Sequence, residues 1–405
     1  MAGRIPESDI DRVRAATDLV ALASERMALK RSGRRFVGRC PFHDEKTPSF
    51  SINPETGLYY CFGCGASGNV FQFLMGLDAM TFTDAVEALA RRSGISITYT
   101  DDSPDDRRRR ERKPKLEEVL AHSVAHLHRQ LMTHPDAGVA RTYLKSRGYD
   151  KDVATRFSLG WSPPVWDDLV KSCKKAGYLE EDMIDAGVAS RSSRGSAVDF
   201  LRGRLVFPIF DPQGKPVALA GRILDVPGED AQGPKYLNTP ETSLYHKSRT
   251  LYGLNWARTD IVARDEAVIV EGYTDVIGFH MAGATNAVAT CGTALGEEHL
   301  RLLKRYAPRV VLAFDGDTAG AAATERTFSV AADVGLEVWV AVLPPGKDPA
   351  ELAADGIDAV EALLARRRPL LEFKIEREIV RHPLDSLEGE ARALDAAAAA
   401  IAVHP

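Results

Sequence analysis

At 405 residues, with 44% apolar and 27% charged side chains, the chain is ordinary globular material, long enough for several hydrophobic cores rather than one. A formal net charge of −5 excludes a surface that is basic all over, so any site for a polyanion has to be local. No apolar run approaches the roughly twenty residues of a membrane span, and the N-terminus (Arg4, Pro6, Glu7, Asp9, Asp11) lacks the apolar stretch of a secretory leader; no membrane role and a cytoplasmic location are expected.

The first hundred residues read as a small independent module. Cys40-Pro-Phe-His43 precedes Cys61-Phe-Gly-Cys64 by seventeen residues, giving two ligand pairs that each span a two-residue gap. Such a gap lets one tight turn aim two side chains at one ion, and three thiolates with one imidazole suit tetrahedral zinc. Four protein ligands leave no position for substrate, so one structural Zn²⁺ is expected, whose loss unfolds the module. Cys173 and Cys291 stand alone and read as small buried side chains. Arg34, Arg35, Arg39 and Lys46, interleaved with Phe50, Tyr59, Tyr60 and Phe62, form either a face for single-stranded nucleic acid or, for the aromatics, the ribbon's core. A helical pattern then runs from Val70 to Ser93 and stops at Gly94.

Residues 101–115, DDSPDDRRRRERKPK, put blocks of like charge between prolines. The composition predicts an extended, mobile linker. From Leu116 to Tyr149 the pattern is helical, and Leu205 to Ile223, punctuated by Asp211, Pro212 and Gly214, reads as a hairpin, so 116–263 is a mixed α+β unit. After Arg264 four apolar strands (Ala267–Val270, Asn286–Ala289, Val310–Phe314, Glu337–Val342) alternate with helical segments, which predicts a parallel sheet over 264–356. Beyond Ile357 the chain is Ala-, Leu-, Glu- and Arg-rich and helical to residue 405.

Two of those strands run into acids, one into Glu271-Gly-Tyr-Thr-Asp275 and the other into Asp315-Gly-Asp317. Ligands of open parallel sheets bind beyond the carboxyl ends of the strands. Two carboxylates held about 5 Å apart repel by roughly 3 kcal/mol at an effective dielectric of 20, so a cation belongs between them, and hard oxygen ligands suit Mg²⁺ or Mn²⁺. Helix capping is the competing role for acids in such places. Asp275 fits a cap or plain exposure, and Asp348, followed by Pro349 and Glu351, has the pattern of a capping box.

EGYTDV (271–276), AFDGDTAG (313–320) and PPGKDPAE (344–351) resemble the Toprim domain of bacterial replicative primases. CPFHDEKTPSFSI and YYCFGCGASGNVFQF are similar to that family's zinc-binding domain, and PKYLNTPET (234–242) with YHKSRTLYGL (245–254) to its polymerase core. The resemblance implies a multidomain α+β chain: a zinc ribbon (1–100), a linker (101–115), a mixed α+β polymerase subdomain (116–263), an α/β Toprim subdomain with a parallel sheet (264–356) and a helical subdomain (357–405). It implies a DNA-dependent RNA polymerase that makes RNA primers on a single-stranded DNA template from ribonucleoside triphosphates. Asp315 and Asp317 become ligands of the catalytic Mg²⁺ or Mn²⁺, two ions in number, with Asp348 an outer member and Glu271 either ligand or general base. Arg147, Arg202, Arg204, Arg222, Lys235, Asn238 and Lys247 match the family's polar core and are assigned to triphosphate or template. Members of the family continue into a C-terminal domain that docks on the replicative helicase, and no stretch of that length follows Pro405. The sequence has no Walker A pattern. A Toprim topoisomerase or nuclease, and a non-catalytic zinc module that only binds single strands, are the rival classes.

Overall fold

The computed structural model describes residues 4–43, 45–78, 80–100, 104–224, 233–314, 330–331, 333–344, 346–382 and 384–402. They divide into two compact units, Met1–Glu111 and Arg112–Pro405.

In the first unit β1 (Leu29–Ser32), β2 (Arg35–Gly38), β3 (Phe50–Asn53), β4 (Leu58–Cys61) and β5 (Ser67–Gly68) form one antiparallel sheet in chain order. Burial alternates along β4, with Tyr59 and Cys61 inside and Leu58 and Tyr60 outside, the period that strand pleating imposes. The inner face sets Phe50, Ile52 and Tyr59 in one core with Phe71 and Phe73 of the helix Val70–Asp78. The expected single helical stretch is two helices; the second, Phe82–Arg92, opens with a capping box between Thr81 and Asp84.

The extended linker expected over 101–115 is not what the described part of that stretch forms. From Pro104 a helix runs to Thr133, with Pro114 inside it. The charges that argued for a tether find opposite partners: Arg107 pairs with Glu111 one turn on at 2.9 Å, and Arg112 reaches Asp182 at 2.9 Å and also Asp185. Proline in a helix interior costs roughly 3 kcal/mol, and the same helix buries Leu116, Val119, Leu120 and Leu127, an apolar gain of the same order per side chain or two. The boundary between the two units falls within this helix.

The second unit contains the expected hairpin. Strands β6 (Gly160–Ser162), β9 (Arg204–Phe210), β10 (Pro216–Ile223) and β11 (Tyr236–Asn238) make an antiparallel sheet in the order β11-β10-β9-β6, while β7 (Ala189–Arg191) and β8 (Ala197–Asp199) pair separately. A six-stranded sheet follows, ordered β12-β14-β13-β15-β16-β17, from β12 (Leu251–Tyr252), β13 (Glu266–Val270), β14 (Ala287–Thr290), β15 (Arg309–Phe314), β16 (Glu337–Val342) and β17 (Arg368–Pro369). Its four central strands are parallel, and the short edge strands β12 and β17 are antiparallel. Every residue of β13 is buried, as a parallel strand covered on both faces requires. One hydrophobic core runs from Leu131 through Phe207 of the hairpin to Val268, Val311 and Leu364. The change at residue 264 is therefore a change of topology within a shared core. Helices Pro349–Ala354, Ile357–Ala365, Leu370–Val380 and Leu387–Ala402 complete the described chain. Among the described residues no helix is long and apolar enough to cross a membrane.

Candidate metal centre and nucleotide site

Cys40, His43, Cys61 and Cys64 converge, with all four ligand atoms within 4.8 Å of one another. Sulfurs about 2.3 Å from a tetrahedral ion stand about 3.8 Å apart; Cys40 Sγ and Cys64 Sγ are separated by 3.8 Å, and Cys61 Sγ lies 3.8 Å from His43 Nδ1. The donor set fits zinc in its chemistry as well. Burial pushes the Cys40 thiol up to about 12, a cost that a bound cation reverses. Burial also raises Cys61, but the Cys64 N–H, the Ser49 hydroxyl and the Gly63 N–H outweigh it and bring this thiol down to about 6.

The sequence reading missed the residues that aim the ligands. Glu45 Oε1 accepts the N–H groups of Cys40 and Ser49 at 2.6 and 3.0 Å, and its Oε2 takes the Ser49 hydroxyl at 2.5 Å. The same Oε2 lies 3.4 Å from His43 Nε2, so the carboxylate orients the imidazole with Nδ1 toward the thiols. Its position two residues after His43 was the available signal. Gly63, between the two cysteines of the second turn, has no room for a side chain: a Cβ there would stand 2.7 Å from His43 Nε2 and 2.9 Å from Ser49 Oγ. The aromatics sort by strand face. Phe50 and Tyr59 are core, whereas Tyr60 and Phe62 are exposed with ring centroids 4.9 Å apart, in a unit whose Arg34, Arg35, Arg39 and Lys46 are all exposed.

In the second unit Glu271 follows the last residue of β13 and is exposed. β13 and β15 pair in parallel through Ile269 and Leu312, and continuing that register sets Glu271 level with Phe314, the last residue of β15. Asp315 and Asp317 lie outside the described residues. Asp275 is buried, not surface-exposed, and its Oδ2 accepts the Gly272 N–H at 2.8 Å, a cap for the helix Tyr273–Ala282. Asp348 caps Pro349–Ala354 as its sequence predicts, taking the Glu351 N–H at 2.7 Å, and its other oxygen lies 3.8 Å from Arg147.

The basic set divides by what each cation touches. Arg147 ends the helix Gly138–Ser146 and faces Asp348. Arg222 on β10 donates to the Tyr236 hydroxyl at 2.7 Å across the strand pair. Arg202 stacks 4.2 Å from the exposed Trp166 ring and donates to the Asp199 carbonyl. Lys235 is exposed and Lys247 half-buried; the Lys247 carbonyl lies 2.7 Å from His299 Nε2 and its N–H reaches Glu241 at 2.9 Å. Asn238 donates to the Cys291 carbonyl at 2.8 Å and accepts from the Tyr273 hydroxyl at 3.0 Å. Arg204 departs from the direct contact assigned to it: it is buried, and its Nη1 donates to the carbonyls of Pro234 at 2.9 Å and Gly221 at 3.2 Å. Bonded to the backbone of β10 and of the segment leading into β11, this guanidinium holds that end of the sheet together instead of facing solvent. Tyr149, two residues after Arg147, is bonded to the helix that follows β13, its hydroxyl donating to the Thr274 carbonyl at 2.7 Å.

A zinc ribbon, a mixed α+β core and a parallel sheet with Glu271 at its carboxyl edge define a Toprim polymerase architecture. Family comparison agrees segment by segment: a CHC2 zinc finger over 5–105, the N-terminal domain of the DNA primase catalytic core over 127–258 and a Toprim-like domain over 268–353. The DNA primase of Streptomyces coelicolor is 41% identical over 99% of this chain and 63% of its own length. Among solved structures, a DnaG primase catalytic domain bound to single-stranded DNA is 33% identical with a TM-score of 0.63, covering 73% of this chain and 94% of that one. The zinc-binding and RNA polymerase domains of Aquifex aeolicus primase match 98% of this chain and 94% of that one at 29% identity and a TM-score of 0.60. The chain belongs to the bacterial DnaG-type DNA primase family, and it spans just over three-fifths of the length of its curated relatives. A zinc ribbon with this Cys₃His cluster carries a structural zinc, and a Toprim domain implies a divalent metal.

Proposed function

We propose that this chain is a primase: a DNA-dependent RNA polymerase that starts short RNA chains from ribonucleoside triphosphates on single-stranded DNA in the cytoplasm. The observation that carries the reading is the shared core, through which the carboxyl edge of the parallel sheet and the basic and aromatic residues of the hairpin sheet are built as one body. Polymerisation needs both, acids for metal and cations for phosphate. A non-catalytic zinc module would need neither the acids nor their placement at a sheet's carboxyl edge. A topoisomerase would need, in addition, a tyrosine presented for strand cleavage, which the primase reading does not require.

In the proposed reaction the 3′-hydroxyl of one nucleotide attacks the α-phosphorus of the next triphosphate, and pyrophosphate leaves. Mg²⁺ or Mn²⁺, two ions when bound, would supply charge neutralisation on the attacking and leaving oxygens. Asp315, Asp317 and Glu271 are the residues assigned to hold them, with Asp348 at the margin. Glu271, exposed at the strand end, is assigned either as a further ligand or as the general base that receives the hydroxyl proton. Asp348 divides its oxygens between a helix cap and Arg147, so its part is to hold that arginine near the metal acids. Arg147, Arg222, Lys235 and Lys247 bind phosphates of triphosphate or template. Arg202 with the Trp166 ring, and Asn238, extend the template path, while Arg204 serves it through the backbone of residues 234 and 221. The zinc ribbon, 1–100, offers Tyr60 and Phe62 as a stacking platform for template bases; the polymerase subdomain, 116–263, the Toprim subdomain, 264–356, and the helices of 357–405 complete the assignment.

Labelled-ribonucleotide incorporation on a single-stranded template with Mg²⁺ or Mn²⁺ tests the proposal. Template-dependent oligoribonucleotides are expected. DNA relaxation or cleavage without nucleotides, or strand binding with no incorporation under either metal, overturns it in favour of one or the other rival class.

A further inference from the structure

Two of the cations assigned to phosphate share one neutral ring. Tyr143 lies on the helix Gly138–Ser146, one turn before Arg147, and i,i+4 side chains on a helix face each other. The Arg147 guanidinium carbon is 5.7 Å from the Tyr143 ring centre, and that of Arg222, from β10, is 4.8 Å from it. Arg222 is also held from beyond, 5.3 Å from the Tyr236 ring and bonded to the Tyr236 hydroxyl. Tyr143 is therefore the one described ring in contact with both arginines, and through Arg147 it reaches Asp348. Its hydroxyl is buried and has no hydrogen-bond partner among the described residues, and burial raises that hydroxyl's pKa. What Tyr143 offers the arginines is the face of a neutral ring, an attraction that strengthens when partly desolvated.

We propose that Tyr143 is a positioning residue of the nucleotide and template site: its ring fixes Arg147 and Arg222 in one relative orientation, so that two phosphate contacts are made together. The proposal rests on the reading of Arg147 and Arg222 as phosphate-binding residues. It separates ring from hydroxyl, because a residue that merely fills the core, or that acts by its O–H, has different requirements. Two flexible cations left without a common support would spread over many rotamers, and each phosphate contact would then carry the cost of ordering an arginine side chain.

The experiment uses the full chain with four variants, Tyr143→Phe, Tyr143→Leu, Tyr143→Met and the double variant Arg147→Gln/Arg222→Gln. Affinity for a fluorescent single-stranded oligonucleotide is read across a salt series, with thermal melting on each preparation. Tyr143→Phe is expected to bind within about twofold of the parent, since the ring face persists. Tyr143→Leu and Tyr143→Met are expected to weaken binding about tenfold and to flatten the dependence of log K on log salt by up to roughly 1.4, two single-strand phosphate contacts. Met keeps volume without a ring, so it serves if Leu melts too low to assay. Unchanged slope in both, with the double variant flattened, overturns the positioning role alone; a loss in Tyr143→Phe equal to that in Leu overturns it in favour of the hydroxyl. An unchanged slope in the double variant overturns the phosphate reading of the arginines and this proposal with it.

Discussion

The zinc unit and the catalytic unit assemble their sites by opposite means. Four zinc ligands come from two turns within twenty-five positions, and the ion itself joins them. The catalytic unit draws Arg147 from a helix end, Arg222 from a hairpin, Glu271 from a parallel strand and Asp348 from a helix cap two hundred residues after the first, and a hydrophobic core has to form before any of them meet. The first site is a folding element and the second is a product of folding. Removing a ligand should therefore damage structure in one unit and chemistry alone in the other.

The largest expected effect is on the zinc side. Cys61→Ser or Cys64→Ser should lose the metal and, since binding to such sites is worth about 10 to 16 kcal/mol, unfold the first unit while the parallel sheet keeps its own transition. Elemental analysis and near-UV circular dichroism check this; stoichiometric zinc in both variants would overturn it. Gly63→Ala tests the same site without touching a ligand, because the added methyl meets the His43 ring and Ser49, and it should weaken zinc retention against a chelator.

On the other side, Asp317→Asn should cut incorporation on the order of a thousandfold, because an amide brings no negative charge to a metal. Melting should stay within about 1 kcal/mol, since Asn caps nearly as well as Asp. Asp315→Asn should behave alike and Asp275→Asn more mildly, Asp275 being a buried cap for its own helix. Parental activity in Asp317→Asn would return that residue to capping.

Smaller in energy is an acid response confined to the catalytic unit. Burial lowers the His280 pKa from 6.5 to about 4, with Nε2 set 3.0 Å from the Ala287 carbonyl. A histidine depressed on folding contributes stability that is complete above its unfolded pKa and lost as pH falls toward the folded one. From this group about 3 kcal/mol should disappear between pH 6.5 and 4. Asp199, which burial raises to about 6, works with the opposite sign over part of that range, so the informative quantity is the difference between the parent and His280→Asn. Denaturant melts of both at pH 7 and pH 4.5 should show the gap closing as pH falls; a constant gap would remove His280 as the cause.

Legibility in the sequence followed the same division. The Cys and His spacing named the zinc ligands because their geometry is local, and Asp348 was legible as a cap because Pro349 and Glu351 stand beside it. The four parallel strands were legible because burial on both faces makes them uninterrupted apolar runs. What composition could not give was partnership across the fold. The run at 101–115 looks unfoldable until Arg112 meets Asp182 seventy residues away. Glu45 is unremarkable until its carboxylate faces His43. Arg204 carries the same motif-borne charge as Arg202, yet β9 turns it inward to carbonyls while Arg202 lies along an exposed tryptophan. Arg202 lies in the turn before β9, whereas Arg204 is the strand's first residue and is buried with it; strand parity decided only which of Tyr59 and Tyr60 joined the core.

That contrast between inward and outward cations supplies the smallest and most discriminating prediction. Lys235 is exposed, and its carbonyl lies 3.5 Å from Arg204 Nη1, the guanidinium that bonds the neighbouring Pro234 carbonyl. Lys235→Ala deletes an exposed ammonium from a backbone that Arg204 continues to hold, so melting should move by no more than about 0.5 kcal/mol. If the ammonium contacts one phosphate, binding to a single strand should weaken and the salt dependence should flatten by roughly 0.7. Arg204→Ala should do the reverse: the carbonyls of Gly221 and Pro234 lose their donor, stability falls by about 2 to 3 kcal/mol, and any loss of binding should keep the parental salt slope because no phosphate contact was removed. Lys247→Ala, with its half-buried stem, should fall between the two. A flattened slope in Arg204→Ala with an unchanged melting curve would place that guanidinium on the template after all; an unchanged slope in Lys235→Ala would return the lysine to the solvated surface.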